Sequence, residues 1–273
     1  MSGSRSRATL LLFILVVIAA TLHASPILTT ITLESPVMGD TYRILLALPS
    51  DYDHLDPEGY PLVVLLDAEW HFDPALSLAP RNAGVVDVVE GLVAEGAMPP
   101  IILARVGYVT SAEIGENRGR DFHARHGDFL IFLRDELLPV LEGTYNTDPD
   151  KRILLGHSSA GWFTTFEFLR YPYGVFDRYV ALSTNFEYDA PDPLLYAMEQ
   201  VLYERLAADL VCSATLYTGV GELEEERFTG PHATFTGRLE GRGYRDFPFA
   251  HEIRSGEDHG SVVLPGFEAG LRW

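Results

Sequence analysis

A serine set among small residues carries the strongest chemical signal in the sequence. Ser158 stands in the run 156–161 (GHSSAG), between a short apolar stretch and a stretch with helical spacing. A serine on a sharp strand-to-helix turn needs small residues two positions before and two after it, because the chain folds closely back on itself there. Gly156 and Ala160 meet that need. The pattern predicts a nucleophile elbow at Ser158, the alternative being an ordinary Gly/Ser-rich turn.

The predicted nucleophile needs a base, because a serine hydroxyl reacts slowly until its proton is removed. Among the histidines that follow Ser158, His251 lies in or beside the last predicted strand, where a structural role fits better. His259 comes after that strand in the polar, glycine-flanked segment 255–261 (SGEDHGS), from which a side chain can reach back over the sheet edge. The sequence therefore predicts His259 as the base.

The acid that orients this histidine should lie between the two, because the chain order in such sites is serine, acid, histidine. The segment 219–226 (GVGELEEE) follows a predicted strand. If the chain is locally extended there, Glu222 and Glu224 face one way and Glu225 the other. Glu224 lies further past the turn and has more reach, so it is the predicted acid, and Glu222 remains the alternative.

A tetrahedral oxyanion needs two backbone N–H donors. One is predicted at Ser159, directly after the nucleophile, where a helix N-terminus also favours negative charge. The second is predicted at Ala68 or Glu69, in the loop after an early strand. Glu69 and Trp70 would then contact the substrate, with the next two residues also at the pocket mouth. Simple packing of this loop is the equally weighted alternative.

Two arginines are further candidates for contact with the substrate. Arg118 and Arg120 lie in a polar segment and could hold a carbonyl or carboxylate, although either could instead pair with Asp121 or another acid. Asp121 with His123 and His126 could suggest a metal site. Three ligands without a companion cluster are weak support, so a loop-to-helix junction is favoured and no metal is predicted.

Strand and helix patterns alternate after residue 60, which predicts an α/β fold with a mainly parallel central sheet and helices on both faces. An antiparallel hairpin formed by 27–34 and 41–49 is predicted to open the sheet, and 109–123 is predicted as a polar loop. Cys212, the only cysteine, is predicted in a buried strand within 210–216. Other strands are predicted at 62–66, 101–108, 152–155, 179–182, 214–220 and 249–253, and helices at 85–95, 128–145, 159–171, 193–207, 234–240 and 261–271.

The 273 residues suit one sizeable domain, predicted over 25–273, preceded by a signal peptide over 1–24. Arg5 and Arg7 precede the apolar run 8–22, and small residues follow it. The run is short for a membrane span, which needs about 20 apolar residues. A secreted or periplasmic protein is therefore predicted, with an anchor formed by 8–22 as the alternative. The formal net charge of −19 makes nucleic acid and anionic membranes poor partners.

Together these motifs resemble the putative esterase family of α/β-hydrolases, which includes esterase D and the enterochelin esterases. The resemblance extends from about Ile31 to Arg272. It implies an α/β-hydrolase fold, an esterase with a Ser, Asp/Glu, His triad, and no cofactor. In this family the acid usually lies three residues after a glycine, which corresponds to Glu224. The motifs that carry the resemblance are 62–68, 101–108, 118–122, 129–145, 156–161, 219–224 and 258–262.

The sequence departs from the family at three places that bear on the substrate. Ala160 and Ala68 stand where glycine is more usual, and 183–185 (STN) replaces the more usual Ser-Pro-Ser. We therefore predict an exported serine esterase that forms an acyl-enzyme with a small-molecule ester. An acyltransferase with a sugar or other alcohol as acceptor, and a siderophore-lactone hydrolase, are the alternatives. A catalytically silent binding protein is disfavoured because nucleophile, base and acid are all present.

Overall fold

The fold is known from a computed structural model, which describes residues 25–75, 82–109, 114–207, 211–244 and 247–273. The predicted signal peptide 1–24, and with it the alternative anchor 8–22, lies outside these residues. No helix within the described ranges is long and apolar enough to cross a membrane. The structure thus bears on the predicted hydrolase segment and not on the leader.

Eight strands form one sheet in the order β1-β2-β4-β3-β5-β6-β7-β8. The β1–β2 hairpin is antiparallel, β2 pairs antiparallel with β4, and all other neighbours are parallel. The predicted α/β class with an opening hairpin is confirmed. The strands are β1 Ile27–Ser35, β2 Asp40–Leu48, β3 Tyr60–Leu65, β4 Ile102–Tyr108, β5 Thr147–His157, β6 Arg178–Leu182, β7 Thr215–Gly221 and β8 Phe249–Arg254.

Helices cover both faces of the sheet, because side chains of a fully buried strand alternate between two apolar layers. Val63 and Leu65 of β3 pack toward α1 and α8, whereas Leu62 and Val64 pack toward the layer that contains α5. The helices are α1 Val85–Ala94, α2 Ile114–Gly119, α3 His126–Ile131, α4 Leu138–Thr144, α5 Ser159–Leu169, α6 Leu194–Ala207, α7 Glu226–Gly241 and α8 Val263–Arg272, with π-helical turns at Arg120–Ala124 and Phe132–Leu137.

The predicted polar loop over 109–123 is wrong for its second half, which forms α2 and the π-helical turn after it. The turn is fixed by contacts with the distant hairpin. Arg120 pairs with Asp40 of β2, and Asp121 accepts a hydrogen bond from the hydroxyl of Tyr42 at 2.8 Å. These partners lie about eighty positions away in the chain, so local spacing gave no sign of the helix.

Two further predictions need correction. The helix predicted at 234–240 begins at Glu226, and Pro231 lies in its second turn. Glu226 in the first turn favours this early start, because the N-terminus of a helix stabilises negative charge. Cys212 precedes β7 and is not part of a strand. Its thiol is buried nevertheless, and burial raises its pKa to about 11.

Candidate active site

Ser158 occupies the sharp turn between β5 and α5. Its backbone has φ 59° and ψ −119°, a conformation that non-glycine residues rarely adopt and that clusters at functional sites. A Cβ added at Gly156 would lie 2.3 Å from the carbonyl oxygen of Ala160. One added at Gly161 would lie 2.7 Å from the carbonyl oxygen of Leu182. The two glycines are therefore required for the close packing that holds Ser158 at the turn, and its side chain stays partly exposed.

Four consecutive strands bring the polar side chains of the site to one edge of the sheet. Ser158 follows β5, Ser183 follows β6, Glu224 follows β7 and His259 follows β8. These strands are parallel neighbours, so their carboxyl ends lie side by side. Residues separated by as much as a hundred positions in sequence are thereby placed in one row above the sheet.

The structure brings His259 and Glu224 into direct contact. Nδ1 of His259 lies 2.6 Å from Oε2 of Glu224. The imidazole is 39% exposed, while the glutamate side chain is fully buried. A carboxylate can only accept a hydrogen bond, so Nδ1 carries the proton and Nε2 of the neutral ring is left as an acceptor. This is the tautomer that a general base needs.

Three donors converge on the Glu224 carboxylate. Oε1 accepts the Ser183 hydroxyl at 2.6 Å and the Gly221 N–H at 2.7 Å, and Oε2 faces His259. In each of these bonds an oxygen of the Glu224 carboxylate is the acceptor. The buried carboxylate is therefore fully satisfied and fixed in orientation. The ring of Phe228 stacks against the ring of His259, with the two centroids 4.4 Å apart.

Glu222 has a different position and a different partner set. Its carboxylate accepts hydrogen bonds from the Ser255 hydroxyl at 2.6 Å and from the Gly256 N–H at 3.0 Å, and these donors lower its pKa. The side chain thus ties the turn after β7 to the turn after β8. It does not contact His259, whereas Glu224 does. Glu225 occupies the N-cap position of α7 and pairs with Arg227, and Glu226 is the first residue of that helix.

His157, beside the nucleophile, is a functional neighbour that sequence reasoning did not single out. Its ring centroid lies 4.5 Å from that of His259 and 5.6 Å from that of His71. Burial, together with these two imidazoles, holds the pKa of His157 well below its usual range. A neutral ring therefore packs beside His259 without adding a like charge. The contact also places His259 next to the elbow.

Ala68 follows β3, the strand that neighbours β5 and its elbow at Ser158. Leu65 of β3 pairs with Leu155 of β5, and each of the two residues follows that pair by three positions. Asp67, just before Ala68, has φ 57°, so the chain turns sharply as it leaves β3. The backbone of Ala68 therefore flanks the elbow, while Ser159 starts α5 on its other side. Both predicted oxyanion donors belong to segments that border Ser158.

Of the four residues predicted to contact the substrate, two lie at the site and two are engaged elsewhere in the fold. The Glu69 side chain is buried, pairs with Arg105 at 3.3 Å and accepts the Tyr108 N–H at 3.0 Å, so it is not available to a substrate. Arg120 is engaged by two aspartates below the hairpin, which is the alternative that the sequence left open. Arg118 is 24% exposed beside Asp67. Its guanidinium lies 5.3 Å from the centroid of the Trp70 ring. Arg118 and Trp70 thus remain at the site.

Asp67 is a second buried acid that sequence reasoning did not place in the site. Its Oδ1 lies 2.6 Å from Nε of Arg118. Burial raises the Asp67 pKa to about 6, against the opposing effect of the guanidinium. The signal that could have found it is its position at the carboxyl end of a buried strand, one residue before the predicted oxyanion donor.

The His123 segment is built from ring packing. The rings of His123 and Tyr188 stack with centroids 3.7 Å apart, and Nδ1 of His126 lies 2.6 Å from the carbonyl oxygen of His123. Asp121 points elsewhere, toward Arg120 and Tyr42. Within the described ranges no group of three or more His, Cys, Asp or Glu side chains could hold a metal ion.

A mostly parallel eight-stranded sheet with a serine elbow at its carboxyl edge is the architecture of the α/β-hydrolases. The Putative esterase family model matches residues 35–226, well over half of the sequence. The chain belongs to that family and is a carboxylic ester hydrolase. The matched segment includes Ser158 and Glu224, and His259 follows it. The predicted family, fold class and enzyme class are confirmed.

Three solved structures illustrate the likeness in fold. The BES protein from Bacillus cereus is 22% identical with a TM-score of 0.74, over 90% of this chain and 94% of that one. An IroE-like serine hydrolase from Shewanella oneidensis is 22% identical with a TM-score of 0.71, over 90% and 79%. Siderophore hydrolase EstB from Aspergillus nidulans is 17% identical with a TM-score of 0.71, over 90% and 93%. No curated protein matches the chain.

Proposed function

We propose that the protein hydrolyses small soluble carboxylic esters through a Ser158, Glu224, His259 triad and an acyl-enzyme intermediate. The observation that carries this proposal is the 2.6 Å contact between the buried Glu224 carboxylate and Nδ1 of His259, on the same sheet edge as the Ser158 elbow. An exposed surface histidine would not need a buried carboxylate with three donors. The arrangement supports a base of fixed tautomer beside a strained serine.

In the proposed reaction, Nε2 of His259 takes the hydroxyl proton as Oγ of Ser158 attacks the ester carbon. The resulting oxyanion accepts hydrogen bonds from the N–H groups of Ser159 and Ala68. His259 then gives its proton to the leaving alcohol, which leaves an acyl group on Ser158. Water, activated by His259 in the same way, releases the acid and restores the serine. Glu224 stabilises the imidazolium in both halves.

The substrate is proposed to be a small ester, with Arg118 and Trp70 at the mouth of the site. Because siderophore hydrolases share this fold, siderophore lactones are included in the substrate panel. The ten residues between Ser183 and α6 offer too little chain for a large lid. We therefore expect short soluble esters to be preferred over emulsified triglycerides.

Hydrolysis and acyl transfer are separated by the fate of the acyl group. p-Nitrophenyl acetate is assayed alone and with a sugar or other alcohol as acceptor. If the protein is a hydrolase, acetate is the main product both without and with the acceptor. An acylated acceptor formed in excess over acetate supports the acyltransferase, and release of neither product supports a binding protein.

The triad is tested with two adjacent serines. Ser158→Ala should lower kcat by about 10⁶, the loss typical of a missing nucleophile, and should abolish labelling by a fluorophosphonate probe. Ser159→Ala keeps its backbone N–H and should retain most activity and labelling. Substantial activity in purified, folded Ser158→Ala protein would contradict the assignment.

Export is proposed from the predicted signal peptide 1–24, giving a secreted or periplasmic enzyme. Expression of the full chain followed by N-terminal sequencing of the product tests this proposal. A new N-terminus near residue 25 supports cleavage. Full-length protein in the membrane fraction would instead support an anchor at 8–22.

A further inference from the structure

A cavity lies at the edge of the sheet opposite Ser158. It has a volume of about 310 Å³ and opens where β3, β4, β5 and β6 begin. Ile153, at its floor, is five positions before Ser158 on β5, which corresponds to roughly 16 Å of extended strand. The cavity is therefore separate from the proposed active site. We call it the basic cavity, and its lining is Pro61, Ala97, Met98, Pro99, Ile101, Asp150, Lys151, Arg152, Ile153, Asp177, Arg178, Leu271 and Arg272.

The basic cavity has a positive lining in an acidic protein. Four basic and two acidic side chains line it, whereas the whole sequence has 20 Lys and Arg against 39 Asp and Glu. One of the two acids, Asp177, already accepts the backbone N–H of Arg152 at 2.9 Å. Three of the four bases are paired with carboxylates outside the lining, so the positive charge that a ligand could meet is that of a single residue.

Arg178 is the one basic residue of this lining whose charge is not matched by a carboxylate in the described chain. Lys151 pairs with Asp148, Arg152 with Glu142, and Arg272 with Glu95 and Glu268. Arg178 is half-buried, and this burial lowers its pKa. Removing a charge from water without a partner is costly, so an accessible guanidinium in this setting is a ready partner for an anion.

The other walls restrict what the anion can be. Ile101, Ile153 and Leu271 are buried apolar residues, and Pro61 and Met98 extend the same surface. A cavity of this volume lies near the lower end of the range of about 300–1,000 Å³ for small-molecule sites. A single free guanidinium matches the planar fork of one carboxylate. The two aspartates disfavour a ligand of higher charge.

We propose that the basic cavity binds a small carboxylic acid with an apolar chain, its carboxylate on Arg178 and its chain against the apolar floor. This site is independent of the ester-hydrolysing site and of the roles given to the triad. A carboxylic acid is also the product that an esterase releases. Product bound at the active site must therefore be distinguished from ligand bound here.

Binding of octanoate is measured by titration calorimetry in the Ser158→Ala background, so that turnover does not enter. Octanoate should bind, and octanol, which has the same chain without the charge, should bind far more weakly. Arg178→Gln should weaken octanoate binding about tenfold or more, because a charge-assisted bond is lost. Arg134→Gln, which removes an exposed arginine paired with Asp135 elsewhere, should leave it unchanged.

A second variant tests the cavity without touching the charge. Ala97 is exposed at its rim, so Ala97→Trp should fill the cavity and block octanoate while the protein remains folded. The proposal is overturned if octanoate does not bind, or if its affinity is unchanged in either Arg178→Gln or Ala97→Trp. Equal binding of octanol would do the same, as would a loss of binding in Arg118→Gln alone, since that result places the acid at the active site.

Discussion

Replacing Glu224 by glutamine tests the proposed site most sharply, because the change keeps the shape and removes the charge. Oε1 of Glu224 accepts two hydrogen bonds, and Oε2 faces Nδ1 of His259. An amide has one oxygen and one NH₂ group, so one side of the substituted side chain must present donors. If NH₂ faces His259, the ring must accept at Nδ1 and hold its proton on Nε2, where it cannot take the Ser158 proton.

The other orientation of the amide also has a cost. If NH₂ faces the Gly221 N–H, two donors oppose each other in a buried place, which costs about 1–3 kcal/mol in the free energy of unfolding. The charge that stabilises imidazolium is lost in either case. We therefore expect kcat to fall by about 10²–10⁴, equivalent to roughly 3–5 kcal/mol in the activation barrier. KM for a short soluble ester should change little.

Glu222→Gln is the matched control, two positions away on the same turn. Its amide oxygen can still accept from Ser255 or Gly256, and the side chain is exposed, so activity should fall at most a few-fold. Both variants are assayed on p-nitrophenyl acetate, with thermal unfolding to verify folding and imidazole ¹⁵N shifts to report the His259 tautomer. A crippled Glu222→Gln beside an active Glu224→Gln would refute the assignment of the acid.

Three further outcomes are expected from other parts of the structure. Gly156→Ala should prevent stable folding, because its Cβ would meet a backbone carbonyl at 2.3 Å. Gly237→Ala, on an open helix face, should instead raise the free energy of unfolding by about 0.5–1 kcal/mol. Urea unfolding compares the two variants, and equal effects would contradict the packing argument. Burial lowers the His232 pKa to about 4. The unfolded chain therefore binds more protons between pH 4 and 6.5, and stability falls as the pH is lowered through that range, by up to roughly 3 kcal/mol. His232→Phe should flatten this dependence in denaturation series at several pH values, and an unchanged slope would exclude His232 as its source. Arg118→Gln should raise KM and also lower thermal stability, because the buried Asp67 carboxyl loses its partner, whereas Glu69→Gln should lower stability with KM unchanged. Steady-state kinetics with thermal melts compares the two, and an unchanged KM in Arg118→Gln would contradict its place at the site.

The strands could be predicted from the sequence because their signals are local. A short apolar run bounded by polar or glycine residues is sufficient to mark a strand buried on both faces, and β3, β4, β6 and β7 follow such runs closely. The helix at Ile114–Gly119 gave no such signal. Its buried residues are few, and its position depends on Arg120 and Asp121 meeting side chains of the hairpin. Contacts over such distances in sequence have no spacing to detect.

The polar side chains beside the site also depend on contacts between residues that are distant in sequence. Glu69 and Arg120 are polar residues close to functional motifs, and both are directed to partners within the fold. Arg118, two positions from Arg120, instead reaches the edge of the sheet near Asp67. Helical spacing separates these two arginines by about 200° around the axis. Because the sequence predicted a loop there, this difference in direction could not be foreseen.

Glu224, the predicted acid, contacts His259, but the sequence reasoning that favoured it does not hold in the structure. The chain at 221–224 is a tight turn, closed by the Glu224 N–H on the Gly221 carbonyl at 3.2 Å, and not an extended segment. A Cβ at Gly221 would lie 2.3 Å from the Glu257 carbonyl, so the turn also packs directly on the segment that carries His259. The turn directs Glu224 inward, where Ser183 and Gly221 fix its carboxylate, and leaves Glu222 to tie the two loops together. The elbow at Ser158 could thus be predicted from its own neighbours in sequence, whereas the contact between Glu224 and His259 depends on three strand ends that meet only after the sheet has formed.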